Sequence, residues 1–369
     1  MLFPWTKLDD LNPILAAGDE TFHCPLADAD IAWRAKDVFN PAAIVHGGRV
    51  ALLFRAEDEV GPFAGTSRIG LAWSDDGRRF EVEPKPVLFP QDDPYCALEW
   101  PGGCEDPRVV GVPEDHTLPG ADAPGGYLMF YTAYDGRRAR LMVASSHDLC
   151  AWRKHGAAFD GGYADTWAKA ASAVCHFPGD GSAHRMARID GRFWMYWGEG
   201  HIFAATSDDG VAWDVLEYEQ PADREFTPGV GNRVTPGDPP RRVPRPLVSP
   251  RPGQMDGYLC EPGPPAVLTD SGIVLIYNAA AQTDGPRQPG TPERGVRYCP
   301  ARLTFDPASP AAVIHRDTEP LFVPDRPYER TGQVNAVCFV EGLVRDPLDP
   351  DAWLLYYGTA DSKIAVARC

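Results

Sequence analysis

Gly103-Cys104-Glu105-Asp106-Pro107-Arg108 places two carboxylates side by side, just ahead of a proline, an arginine and an apolar run from Val109 to Val112. Two carboxyls beside a guanidinium can keep one acid protonated and its neighbour ionised, the division of labour that acid–base catalysis needs. Neighbours on a strand alternate faces, so one of Glu105 and Asp106 is expected to face a ligand and the other its supporting network. On an isolated turn the same residues would be no more than a solvated ion pair. Their surroundings decide between the two.

Those surroundings repeat. A short segment ending in Ala-x-Ser-x-Asp-Gly, followed by an aromatic, runs from Ser67 to Gly77 with Phe80, and from Ala139 to Asp148 with Trp152. It returns from His201 to Gly210 with Trp213, in worn form from Val296 to Asp306, and truncated from Ser362 to Arg368. Each copy follows an aromatic-rich strand candidate: Val50 to Arg55, Tyr127 to Tyr134, Arg192 to Trp197, Gly272 to Asn278 and Trp353 to Tyr357. Before each of these lies another apolar run: Pro41 to Val45, Pro107 to Val112, Ala170 to Val174, Pro262 to Leu268 and Val334 to Val340. Five such units with almost no helical periodicity predict an all-β chain, a single five-bladed β-propeller over residues 1–369. The Asp-Gly tips are expected to be hairpin turns, with the aromatics after them packed between blades. Long Pro/Gly/Arg segments at about 221–254 and 282–294 are expected to be rim-loop insertions, the first lying over the pore or forming a homo-oligomer contact.

Composition narrows the function. A net charge of -17 with no basic cluster argues against nucleic acid and anionic membranes and fits a neutral ligand such as a sugar. Nine cysteines, an odd number without metal spacing, read as reduced thiols, and no apolar stretch approaches the length of a transmembrane helix. With no leader-like N-terminus, these features together point to the cytoplasm.

In a propeller the innermost strands converge on one funnel. Their entrances here are Asn40-Pro41, Glu105-Asp106-Pro107, Lys169-Ala170, Glu261-Pro262 and Asn335-Ala336. The second strands end in Arg55-Ala56-Glu57-Asp58, Tyr134-Asp135, Glu199, Asn278 and Asp361. Polar side chains at strand ends in every unit predict a polar ring around one cavity. Trp100, Tyr134, Tyr196, Trp197 and His201 are nearby candidates for stacking on sugar rings. With no metal cluster and no phosphate loop, this set suits polyol recognition and acid–base cleavage of a glycosidic bond, with no metal or cofactor.

Several segments in order carry a resemblance: Phe39-Asn40-Pro41-Ala42, Arg55-x-Glu57-Asp58, Ser67-Arg68-Ile69, the Glu105–Arg108 element, Tyr131-Thr132-Ala133-Tyr134, Glu261–Pro265 and Tyr357-Gly358-x-x-Asp361. From about Asp37 onward the chain resembles glycoside hydrolase family 130, the β-mannoside phosphorylases and related β-1,2-mannosidases. The resemblance implies a five-bladed propeller and Asp106 as proton donor, the proton passing in the phosphorylases through a mannose hydroxyl. It also implies sugar contacts from Asn40, Arg55, Asp58 and Asp361, and it places Ser67, Arg68, Glu105 and Tyr134 around them.

The attacking group separates the two branches. A phosphorylase needs a cationic cradle, and inorganic phosphate would then be a co-substrate. Many family phosphorylases are expected to carry a His-Arg-Pro-like element where this chain reads Tyr196-Trp197-Gly198-Glu199-Gly200. Glu199 with Glu261 resembles the paired glutamates of the hydrolytic branch, so an inverting β-mannosidase is the favoured reading. Lys169, Arg138, Arg140 and His201 keep a phosphate site open. A non-catalytic sugar-binding propeller would keep the aromatics and lose the acid, against Asp106 and two cross-funnel glutamates. A furanosidase of the wider clan should show an Asp near the first inner strand, where this chain has Asn40, with Asp37 three residues earlier.

Overall fold

The computed structural model describes residues 4–60, 65–220, 241–283 and 295–369. Regular structure is almost entirely β, with two single-turn α-helices, Cys96–Glu99 and Pro327–Arg330, among the described residues. The strands pair as successive antiparallel meanders. The first is Asp37–His46, Arg49–Glu57, Ser67–Ser74 and Glu81–Val82. The second is Gly103–Gly111, Tyr127–Tyr134, Ala139–Ser146 and Arg153–Ala157. The third is Ala171–His176, Arg192–Trp197, Phe203–Ser207 and Asp214–Val215. The fourth has a split first strand, Leu259–Pro262 and Ala266–Thr269, then Gly272–Gln282, Val296–Asp306 and Ser309–Arg316. The fifth is Cys338–Asp346, Asp349–Thr359 and Lys363–Arg368, completed by Thr6–Lys7 from the other end of the chain.

The apolar core lies in layers between meanders. Leu53 and Leu71 of the first meet Met129 and Tyr131 of the second, and Leu128 and Leu141 of the second meet Phe193 and Phe203 of the third. Tyr196 and Ala204 of the third meet Leu275 and Leu303 of the fourth, Val267 and Ile276 of the fourth meet Leu355 of the fifth, and Leu354 and Tyr356 of the fifth return to Leu52 and Phe54. Inner strands such as Gly103–Gly111 are therefore buried on both faces, which explains why they read as apolar runs without alternation.

The repeated turns share one device. Ser74, Ser146 and Ser207 donate their hydroxyls to Asp76, Asp148 and Asp209, and each aspartate accepts backbone N–H groups two and three residues on. The aromatic that follows bridges meanders: Trp213 packs edge-on to Phe130, and Phe80 edge-on to Tyr356.

Two expectations are corrected. The fifth inner strand is Cys338–Asp346, not Val334–Val340, because Ala336 takes a left-handed φ of 60° and the Val337 N–H bonds to Glu329 outside the sheet. Tyr196 and Trp197 are core residues, stacked on Phe305 and packed against Phe159, and offer no sugar platform. Of the rim loops, residues 221–240 and 284–294 lie outside the described residues; Arg241–Pro244 pairs with Glu217–Gln220. No helix among the described residues is long and apolar enough to cross a membrane.

Candidate active site

The first and second inner strands each carry a bulge at the same place. Register shifts between Phe39 and Pro41, and between Glu105 and Arg108, and Asn40 and Asp106 both sit at a left-handed φ of 49°. Asn and Asp are among the few residues that accept this conformation, and the proline after each has no ladder N–H to lose. The bulges turn both side chains into a cavity of about 300 Å³. Its polar wall is Asn40, Arg55, Asp106, Lys169, Glu199, Glu261 and Asp361; Phe39, Val334, Val337 and Phe339 form an apolar wall, with Tyr298 beside them. A larger cavity of about 740 Å³ lies among Phe177, Val274, Ile314 and Trp353, but the convergent carboxylates are in the smaller one.

Asp106 gathers contacts from the meanders on either side of its own. Asn40 Nδ2 donates to its Oδ1 at 2.8 Å, Arg55 Nη1 lies 3.2 Å from the same oxygen, and Lys169 Nζ is 3.5 Å from Oδ2. Glu105 shares the cations, with Arg55 Nη2 at 3.1 Å and Lys169 Nζ at 3.6 Å. Strict alternation of the pair is thus overturned: the bulge inserts a residue, and both carboxylates address one pair of cations. Asp106 lines the cavity while Glu105 stands behind it. Burial raises the proton affinity of Asp106, but Lys169, Arg55 and Arg108, with the Asn40 hydrogen bond, outweigh it and hold the carboxyl well below its ordinary value. Burial of Glu105 wins over the same cations, and its pKa is raised.

Arg108 lies under this site, fully buried. Its guanidinium donates to the carbonyls of Asp106, Pro262 and Gly263, and its Nη1 is 2.5 Å from Glu341 Oε1. Glu261 Oε1 is 4.0 Å from Nη2 of the same arginine. One cation therefore joins the second, fourth and fifth meanders while facing two carboxylates. Burial and the nearby Glu199 carry Glu261 up to about 8, against Arg108 and Lys169. Burial likewise carries Asp361 up to about 7, with Arg55 opposing.

Other expected residues stand farther back. Ser67 accepts a hydrogen bond from Arg55 Nε at 2.9 Å. Asp58 and Arg68 bind each other at 2.5 Å, Asp58 also accepting the Thr66 N–H, and neither lines the cavity. Arg140 pairs with Asp135 and Asp165, and Arg138 donates to the Asp165 carbonyl. His201 Nδ1 meets Ser249 Oγ at 2.9 Å, and Tyr134 packs edge-on to Trp167. Trp100 is half-buried away from the cavity wall. Among the described residues no group of three or more His, Cys, Asp or Glu is arranged to hold a metal ion.

Comparison with known proteins bears on this site. Residues 26–369 match the model of the Glyco_hydro_130 family, described as beta-1,4-mannooligosaccharide phosphorylase. The chain belongs to glycoside hydrolase family 130. It is 28% identical over 348 residues to a 1,2-beta-oligomannan phosphorylase of Thermoanaerobacter sp., covering 92% of each chain. A solved glycosyl hydrolase from Bacteroides ovatus superposes with a TM-score of 0.81 at 36% identity, over 100% of this chain and 94% of the other. Another structure, also 36% identical with a TM-score of 0.82 over 100% and 94%, was described in showing that the family of mannoside phosphorylases contains glycoside hydrolases that target β-1,2-mannosidic linkages in Candida mannan.

This family 130 chain is thus an enzyme that hydrolyses or phosphorolyses glycosides. Some of its site residues are not legible in the sequence. Glu341, Tyr298 and Phe339 sit in strands that look like core, and Val334 and Val337 lie in an apolar run that reads as a strand they do not form. Glu341 had one legible sign: a charged residue inside an apolar run, which must find a partner once buried.

Proposed function

We propose that this enzyme is an inverting β-mannosidase, acting on β-1,2-linked mannosides, built as one five-bladed propeller over residues 1–369. Five meanders with core layers between them support the propeller reading. The observation that carries the hydrolytic reading is the charge of the cavity wall. Four carboxylates, Asp106, Glu199, Glu261 and Asp361, face two cations, Arg55 and Lys169, that already bind Asp106 and Glu105. A phosphate dianion there would have to compete with those carboxylates for the same two cations, whereas water needs only a basic carboxylate. Arg138 and Arg140, the further candidates for a phosphate cradle, are committed to Asp135 and Asp165. The identities lean the same way, 36% to the structure described with the family's hydrolases against 28% and 26% to curated phosphorylases.

In this mechanism Glu261, assisted by Glu199, takes a proton from water, and the resulting hydroxide attacks the anomeric carbon from the face opposite the leaving oxygen. Asp106 supplies a proton to that oxygen, directly or through a sugar hydroxyl, and the C–O bond breaks to give an α-configured mannose and the freed alcohol. In the free enzyme Asp106 is ionised and Glu261 holds the proton at neutral pH. Turnover therefore requires that the sugar, seated between Asp106 and its cations, loosen their hold and let a proton reach Asp106. Lys169 in the wall, and the curated relatives' phosphorylase activities, favour phosphorolysis as the second reading. A reducing, cytoplasmic setting fits nine cysteines that are all free thiols.

The test is turnover of β-1,2-mannobiose and β-1,4-mannobiose with and without phosphate, with the product anomer read by NMR. Free α-mannose without phosphate is expected. Mannose 1-phosphate formed only when phosphate is present would replace hydrolysis by phosphorolysis.

A further inference from the structure

Trp167 is 44% exposed, the one tryptophan or other aromatic among the large exposed apolar side chains of the described residues. An indole left in water forgoes a large burial gain, so its position needs a reason. Its Nε1 donates to Glu199 Oε2 at 2.5 Å, and Glu199 lines the cavity, as does Lys169 two residues along. The exposed ring therefore stands next to the cavity, with its N–H end on a wall residue.

The segment that carries it is held on both sides. Arg140 Nε donates to Asp165 Oδ1 at 2.8 Å, Arg138 Nη1 to the Asp165 carbonyl at 2.7 Å, and the Ala168 N–H to the Ala139 carbonyl at 3.2 Å. The Thr166 N–H closes a turn on the Tyr163 carbonyl at 3.0 Å, and Tyr134 meets the indole edge-on at 6.5 Å. The two arginines that could have served phosphate thus fix an exposed aromatic ring beside the active site. A rigid ring with an open face costs little ordering on binding and suits the C–H face of a pyranose.

We propose that Trp167 is the acceptor-side platform of the active site, its ring receiving the sugar released on cleavage and its indole N–H orienting Glu199. The inference rests on the β-mannoside reading above and names the part of the site that recognises the second ring.

The experiment compares wild type, Trp167→Ala and Trp167→Phe on β-1,2-mannobiose, with methyl β-mannoside, which lacks a second sugar ring, as competitive inhibitor. Trp167→Ala is expected to raise KM for the disaccharide about tenfold while the Ki of methyl β-mannoside stays within about twofold. Trp167→Phe keeps a ring but loses the donor, so KM should hold within about threefold while kcat falls and its pH profile moves. Equal losses for both ligands, or an unchanged disaccharide KM in Trp167→Ala, would overturn the platform. Unchanged kcat and pH profile in Trp167→Phe would overturn the orienting role. A wild-type enzyme that turns over no mannoside overturns the proposed function and this placement together, whereas an active wild type with an indifferent Trp167→Ala overturns the placement alone.

Discussion

Asp106 and Glu261 are both buried carboxyls beside cations, yet their proton affinities move in opposite directions. Asp106 meets Arg55, Lys169 and the Asn40 amide within hydrogen-bond or ion-pair distance. Glu261 faces an arginine at 4.0 Å that is spent on Glu341 and three backbone carbonyls. With Asp106 as acid and Glu261 as base, the reacting form carries one proton in all, as the free enzyme already does below about 8, so kcat/KM should hold there and fall as pH climbs through about 8. Glu261→Gln should lower kcat by about 10²- to 10⁴-fold and remove that fall. The same group links stability to pH. Its affinity in the folded chain exceeds the ordinary 4.5, so the folded state holds an extra proton between 4.5 and about 8, and stability is lost as pH climbs through that window. Melting curves of Glu261→Gln should therefore show a gain over wild type on the order of 2 °C at pH 8, shrinking toward pH 5. A gain that is larger at pH 5 would mean that Glu261 is ionised in the folded chain at neutral pH. The residue types at Glu105, Asp106 and Glu261 were plain in the sequence, but their protonation depends on burial and on cations brought together from Arg55, Arg108 and Lys169.

At the scale of elements, the inner strands position the site by departing from regular pairing. Period-two alternation is a local rule, and it fails at Glu105 and Asp106 because the bulge and a left-handed residue re-aim the chain. The prolines at 41 and 107 were visible signals of such an interruption, although the direction of the turn was not. Arg108 then fastens the bulged strand to the fourth and fifth meanders. Arg108→Met leaves Glu341 buried without its cation and should cost about 3–5 kcal/mol in urea unfolding. Adding Glu341→Leu removes the stranded charge and should restore most of that loss. Activity should not return with it, since the Asp106 and Pro262 carbonyls still lack their common donor. Recovery of both stability and kcat in the double variant would show that Arg108 contributes charge balance and no positioning.

At the scale of the whole molecule, the last meander is completed by residues from the opposite end of the chain. Thr6 and Lys7 pair with Arg368 and Ala367, and Lys7 Nζ reaches Asp325 and the fully buried Glu329, each at 2.6 Å. Lys7→Met should cost about 3 kcal/mol by leaving Glu329 uncompensated. The urea midpoint should fall with an unchanged slope if the meanders unfold as one unit; separate transitions would show that the fifth opens alone.

By itself the sequence determined the all-β class, the repeat, and the bounds of second and third strands such as Tyr127–Tyr134 and Val296–Asp306, because apolar spacing and Ser-x-Asp turns act within a few residues. It also determined which carboxylates would be available. Only the tertiary structure decided which of them share a cavity. It paired Asp58 with Arg68 and Arg140 with Asp165 outside the cavity wall, buried Tyr196 and Trp197, and set the Trp167 N–H against Glu199. The reason is physical: contacts across the cavity join residues far apart in the chain, and a partner's charge or burial leaves no mark on the local pattern of either residue.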